Sequence, residues 1–321
     1  MKIVFFGTPE FAVASLDAVL AEGEVVAVVT RADKPRGRGL RVEPPPVARA
    51  ANEYALEVLQ PVSLRDPAFL ARLRALAPDA GVLVAYGRIV PPEVLAIPPR
   101  GIVNVHPSLL PRYRGAAPVA RAIAAGDTET GVTILYLSEE LDAGDVILQK
   151  TVRVAPDDTT RTLTARLAEE GAALLAEALP LIEAGRAPRA PQDGAQATWA
   201  PRLIREEGEI DWARPARTTV NLIRACDPWP GAFTYMKDQE LKIWRASPAD
   251  RTPAANPAPA GTVLEVPAAE GAPFTVAAGD GIVRVYEVQP AAGRRMSAAA
   301  YARGRAVAPG LVLGAGRGRP A

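Results

Sequence analysis

Cysteine and histidine are almost missing: the 321 residues contain one of each, Cys226 and His106. One thiol cannot make a disulfide framework, and one thiol with one imidazole cannot close a Cys/His zinc site. The expectation is a metal-free protein of the reducing cytoplasm. Neither sign of charge is in excess, with 37 Lys and Arg against 36 Asp and Glu. This excludes a histone-like basic protein and an acidic tail, and leaves any nucleic acid to local patches. No uncharged apolar run approaches the roughly 18 residues of a membrane span. The N-terminal Met1-Lys2-Ile3-Val4-Phe5-Phe6-Gly7 gives way to Thr8, Pro9 and Glu10 before a signal-peptide core forms, so no targeting segment is expected. Apolar residues at 49% exclude a disordered chain, and the length suits one larger and one smaller domain.

Residues 2–6, 25–29, 80–85 and 101–105 are short apolar runs suited to strands buried on both faces. Segments 11–20, 47–56 and 66–76 between them have helical spacing, so the pattern predicts a Rossmann-like α/β domain with a parallel sheet, its site at the carboxyl ends of the strands. Further strands are expected over 131–137 and 146–154, then a long helix over 160–184 opened by Asp157, Asp158 and Thr159. Periodicity fades over 185–208, a linker long enough to drape over the first domain. Beyond it a helix over 215–226 and strands at 233–236, 241–244, 263–266, 274–277 and 282–288 predict a small, OB-like β-barrel. The Pro/Ala-rich stretch 247–261 is expected to be an insertion loop. The domains are placed at 1–187 and 208–321, with 188–207 as linker.

Gly7-Thr8-Pro9-Glu10-Phe11 follows the first strand, but it has one glycine where a dinucleotide loop needs three, and no NAD or ATP site is expected. The informative run is Asn104-Val105-His106-Pro107-Ser108-Leu109-Leu110-Pro111-Arg112-Tyr113-Arg114-Gly115. Strand alternation puts Asn104 and His106 on one face. An amide that donates to a developing oxyanion beside an imidazole that handles an amine proton is a pair suited to acyl transfer. A lone histidine is more often structural, but this one ends a strand beside a proline-stiffened loop. In Leu141-Asp142-Ala143-Gly144-Asp145, otherwise a turn, Asp142 is the candidate to orient His106. Residues 31–41 hold five basic side chains against one acidic, a glycine-rich loop fit to meet phosphates, and 294–321 hold six arginines and no acid.

The Asn104 to Pro111 run, Arg114-Gly115 and the Leu141 to Asp145 loop resemble the folate-dependent formyltransferase family, and most closely its branch acting on methionyl-tRNA. Phe6-Gly7-Thr8-Pro9-Glu10-Phe11, Gln60-Pro61-Val62-Ser63-Leu64, Val84-Ala85-Tyr86-Gly87, Ile210-Asp211-Trp212 and Asp227-Pro228-Trp229-Pro230-Gly231 extend the similarity almost end to end. The resemblance implies an enzyme that passes formyl from 10-formyltetrahydrofolate, its co-substrate, to methionine on initiator tRNA, with no metal, membrane or obligate protein partner. It places catalysis on Asn104, His106 and Asp142, and folate on Arg88, Ile89, Val90, Ser108, Leu109, Leu110, Pro111 and Leu141. It places tRNA contacts on Arg36, Arg38, Arg41 and the C-terminal barrel. The His-Pro-Ser-Leu-Leu-Pro segment also occurs in hydrolase-like folate enzymes, so a formyltetrahydrofolate hydrolase, a sugar-nucleotide formyltransferase, or an RNA-binding protein without catalysis on the same scaffold are the alternatives.

Overall fold

The computed structural model describes residues 1–36, 41–250, 258–267, 269–305 and 307–314, without the side chains of 35, 36, 41 and 250. Two compact units interleave along the chain. Met1–Pro118, Glu129–Arg153 and Leu163–Pro201 form the first, and Val119–Thr128, Val154–Thr162 and Arg202–Ala321 the second. A division of the chain at 187 and 208 therefore differs from the division by packing: two internal segments join the second unit, and most of the linker joins the first.

The first unit contains β1 (Lys2–Gly7), β2 (Glu24–Val29), β3 (Lys34–Arg36), β4 (Arg41–Glu43), β5 (Val58–Leu59), β6 (Ala80–Val84), β7 (Ile102–His106), β8 (Glu129–Tyr136) and β9 (Val146–Arg153). Seven of them make a sheet in the order β5-β2-β1-β6-β7-β8-β9, while β3 and β4 form a separate hairpin. β6, an unbroken apolar run, and β7, whose run is interrupted by Asn104 and His106, are both buried throughout. The five strands from β5 to β7 are parallel, but β8 runs antiparallel to both neighbours. The sheet is thus mixed rather than wholly parallel, because the chain leaves β7 and enters β8 at the same end and needs no crossover.

The helices are α1 (Val13–Glu22), α2 (Pro46–Glu53), α3 (Pro67–Ala75), α4 (Pro92–Leu95), α5 (Pro118–Ala125) and α6 (Thr160–Glu183), the last two crossing between units. A proline opens α2, α3 and α4, where its missing N–H costs nothing, and Asp66 caps α3 by accepting from Ala68 N at 2.9 Å. One face of the sheet is closed by Phe6, Phe69, Leu73 and Tyr86, with the Phe6 and Tyr86 rings edge to face at 5.8 Å. The segment after α6 does drape: Ala190 pairs with Val146, and Thr198 and Ala200 pair with Arg114.

The second unit adds α7 (Ala216–Ala225), β10 (Ala232–Met236), β11 (Gln239–Asp250), β12 (Val263–Glu265), β13 (Phe274–Ala277), β14 (Gly281–Pro290), β15 (Met296–Ser297) and α8 (Ala298–Arg305). Its antiparallel sheet runs β10-β11-β14-β13-β12, with β15 on β14. Leu311 to Gly314 then bridge the open side, hydrogen bonding to Gly261 and Val263 at one edge and to Tyr235 at the other. That segment closes the expected small barrel. Ser247 to Asp250 lie in β11 rather than in a loop, because their ladder with β14 continues to Gly281; residues 251–257 lie outside those described. Of the C-terminal arginines, Arg295 pairs with Asp227 at 3.0 Å and Arg303 with Glu270 at 2.5 Å, so part of that positive charge is spent inside the unit. Arg317 and Arg319 lie outside the described residues.

Candidate active site

Asn104 and His106 project from one face of β7, as alternation predicts, and both are buried. The loop between β8 and β9 brings Asp142 to them. Asp142 Oδ1 accepts from Asn104 Nδ2 at 3.4 Å, and Oδ2 lies 3.7 Å from His106 Nδ1 while accepting from Gly115 N at 2.9 Å. The three sequence candidates therefore meet, although 38 residues separate Asn104 from Asp142. Asp142 adopts φ 51°, an uncommon conformation for a residue with a side chain, in a turn that Gly144 completes; a Cβ on Gly144 would lie 1.8 Å from Tyr136 O.

The histidine's tautomer follows from its second contact. His106 Nε2 is 3.0 Å from Tyr113 O, and a carbonyl can only accept, so Nε2 carries the proton of the neutral ring. The lone pair is then on Nδ1, on the side of Asp142. That nitrogen is where a proton can be received next to a carboxylate.

The Ser108 to Pro111 loop is held rigid from below. Ser108 is fully buried and its hydroxyl donates to Arg112 O at 2.7 Å. Thr133 on β8 donates to Ser108 O and accepts from Leu110 N, and Gln149 on β9 donates to Leu110 O at 2.8 Å. Leu110 is buried, leaving Leu109 and Pro111 half-buried as the open part of this loop. Thr133 and Gln149 have no motif around them; only the register of β8 and β9 against β7 brings them here.

Arg88, Ile89 and Val90 line a cleft of about 490 Å³ with Val62 to Arg65, Pro91, Pro92 and Glu139, the last from the same loop as Asp142. Val62 and Ile89 present apolar surface there, 89% and 84% exposed, while Arg88 donates to Pro61 O and Val62 O and ties the two walls together. Burial raises the Tyr86 phenol above its ordinary range, against the pull of Arg88 and Arg31, so it stays a neutral hydroxyl beside this cleft. Leu141 is outside the lining and half exposed. Arg38 lies outside the described residues, and Arg36 and Arg41 are opposed in the β3–β4 ladder.

Two family models match the chain: "Formyl transferase" over residues 1–179 and "Formyl transferase, C-terminal domain" over 202–306. The chain belongs to the formyl transferase family. Among curated relatives, methionyl-tRNA formyltransferase of Moorella thermoacetica is 49% identical over 98% of this chain and 99% of its own. The enzyme of the same name from Heliobacterium modesticaldum is 46% identical over 98% and 100%. The fold is shared with an N-formyltransferase from Helicobacter canadensis, solved with folinic acid and dTDP-3-aminofucose, at TM-score 0.66 and 18% identity over 92% of this chain and 100% of that one.

Cys226 is poorly suited to thiolate chemistry. Its thiol is fully buried, and burial pushes its pKa up to about 12, so thiolate is scarce at neutral pH. Iodoacetamide at pH 8 is expected to leave the native chain unlabelled and to label it once when denaturant is added; rapid labelling of the native chain, read by intact mass, would contradict the packing described. Among the described residues no group of three or more His, Cys, Asp or Glu could hold a metal, and no helix is long and apolar enough to cross a membrane.

Proposed function

We propose that this chain transfers the formyl group of 10-formyltetrahydrofolate to the α-amino group of methionine on initiator tRNA, in the cytoplasm where translation begins. The observation that carries this reading is the 49% identity to a curated methionyl-tRNA formyltransferase across nearly both chains. The Asn104, His106 and Asp142 geometry is what acyl transfer to an amine calls for.

The folate fits the residues present: Ile89, Val90 and Val62 offer apolar walls, Arg88 braces them, and Glu139 of the cleft lies in the same loop as Leu141 and Asp142. When bound, it supplies an activated formyl carbon. The chain's own residues do the rest. A peptide α-amine has a pKa of about 7.7 to 8.0, so much of it is protonated at neutral pH, and attack needs the neutral form. His106 Nδ1 takes the amine proton as the new C–N bond forms and would return it to the nitrogen that leaves when the formyl carbon's old C–N bond breaks, while Asp142 holds the ring and neutralises the charge in between. An amide has two N–H bonds, and while Asn104 keeps one near Asp142, the other donates to the oxygen on which charge develops.

The basic segment 31–41, with Arg36, Arg38 and Arg41, is assigned to the acceptor end of the tRNA because it concentrates five basic side chains against the single acidic Asp33. The barrel is assigned to the tRNA backbone.

The test of the reaction incubates the full chain with 10-formyltetrahydrofolate and charged initiator or elongator tRNA and counts formyl-methionine. Initiator tRNA should be formylated far faster. Equal rates on both, or formyl release to water alone, would defeat the assignment. In the same assay Arg38→Ala should weaken use of Met-tRNA and leave folate affinity within about twofold, since a phosphate contact adds to RNA binding only.

A further inference from the structure

The segment after α6 contributes a side chain to the catalytic loop that no motif announces. Gln192 donates from Nε2 to two carbonyls at once, Asp142 O at 2.9 Å and Gly144 O at 2.8 Å. Its Oε1 accepts from Arg114 Nε at 3.2 Å and Nη2 at 2.9 Å. A guanidinium offers only donors, so Arg114 fixes which end of the amide faces it and forces the nitrogen toward the Asp142 turn.

Arg114 is itself immobilised. It is buried, its backbone pairs with Thr198 and Ala200, and its Nη1 reaches Glu140 at 3.1 Å. The next residue, Gly115, supplies the N–H that holds Asp142 Oδ2, at φ 121° and with Ala200 O 2.9 Å from where a Cβ would stand. Asp142 is therefore gripped twice from one anchor: at its carboxylate by Gly115 N, and at its carbonyl by Arg114 acting through Gln192. The second grip opposes the tendency of a residue at φ 51° to relax into ordinary backbone.

We propose that Gln192 is a positioning residue for formyl transfer: it clamps the Asp142 to Gly144 turn so that the Asp142 carboxylate stays against His106. This inference rests on the formyl-transfer reading for its kinetic test only. Small displacements at a reacting centre are costly, roughly 100-fold for about 1 Å.

The experiment compares wild type, Gln192→Ala, Gln192→Glu, Asp142→Ala and the Asp142→Ala/Gln192→Ala double variant, all as the untagged full chain and each checked for a cooperative melt. Gln192→Glu keeps the acceptor for Arg114 but loses both donated bonds, so it isolates the clamp from simple packing loss. Both Gln192 variants should lower kcat by roughly 10- to 100-fold with KM for folate within about twofold, and Gln192→Ala should cost nothing further once Asp142 is gone. Wild-type kcat in Gln192→Glu, or the same fractional loss on the Asp142→Ala background, would overturn the proposal.

A second readout is independent of turnover. His106 is the only histidine of the chain, so its imidazole ¹⁵N signals are unambiguous in the untagged protein. At fixed pH they should move in Gln192→Ala toward their positions in Asp142→Ala and move no further in the double variant. Signals unchanged from wild type would overturn the proposal, whereas a wild type that formylates nothing would defeat the proposed reaction and leave these spectra to decide the clamp.

Discussion

Replacing Asn104 by alanine is expected to slow formyl transfer by roughly 10²- to 10³-fold, the loss of about 2.7 to 4 kcal/mol that removal of one oxyanion donor brings. The size follows from burial: Asn104 is 6% exposed, so its N–H acts where water cannot replace it. Stability should change little by comparison, because the bond it makes to Asp142 is long at 3.4 Å and Asp142 keeps the shorter one from Gly115 N at 2.9 Å. Single-turnover rates with both substrates saturating are the measurement, since they separate chemistry from binding and product release. His106→Ala and Asp142→Ala should also act on the rate constant, and combinations of the three should cost less than the product of the single effects, as expected of groups that work as a unit. Near-normal single-turnover rates in Asn104→Ala would remove it from the reaction.

Cutting the chain after residue 187 or after residue 201 is expected to abolish cooperative folding of the N-terminal fragment. The reason is the interleaving. Val119–Thr128 and Val154–Thr162 pack with Arg202–Ala321, through Arg121 bidentate to Glu207 at 2.6 and 3.1 Å, Arg224 to Asp158 O at 2.9 Å and Thr160 Oγ to Ala225 O at 2.7 Å. Re-exposing buried Val, Leu or Ile side chains costs about 1.5 to 3 kcal/mol each, against a whole-domain stability of about 5 to 15 kcal/mol. The earlier cut should be worse, as it also removes Gln192 and the Thr198 to Ala200 backbone that holds Arg114. Thermal unfolding and limited proteolysis of the fragments test this; a fragment ending at 201 that melts cooperatively near the temperature of the full chain would show that the two segments are dispensable.

The element types and the facing pair Asn104 and His106 of the candidate site could be read from the chain because they rest on local rules. Unbroken apolar runs, proline at helix starts and the two-residue alternation that puts Asn104 and His106 on one face are properties of neighbours in sequence. Asp142 stood as the carboxylate candidate in a turn-forming Asp-Ala-Gly-Asp, and the resemblance pointed to the same residue, but sequence spacing did not contain its contact with His106. What local rules do not contain is direction and return. Nothing within 107–128 says that β8 comes back antiparallel, and that reversal decides that Thr133 and Gln149 lie under the Ser108 to Pro111 loop. Nor does the proline-rich composition of 185–208 say which face it crosses, since loop composition encodes the absence of periodicity rather than a partner. The tertiary structure decided that Gln192 meets Arg114 and Asp142 across 78 and 50 residues of chain, because each of those hydrogen bonds exists only once both ends of the segment have found their strands.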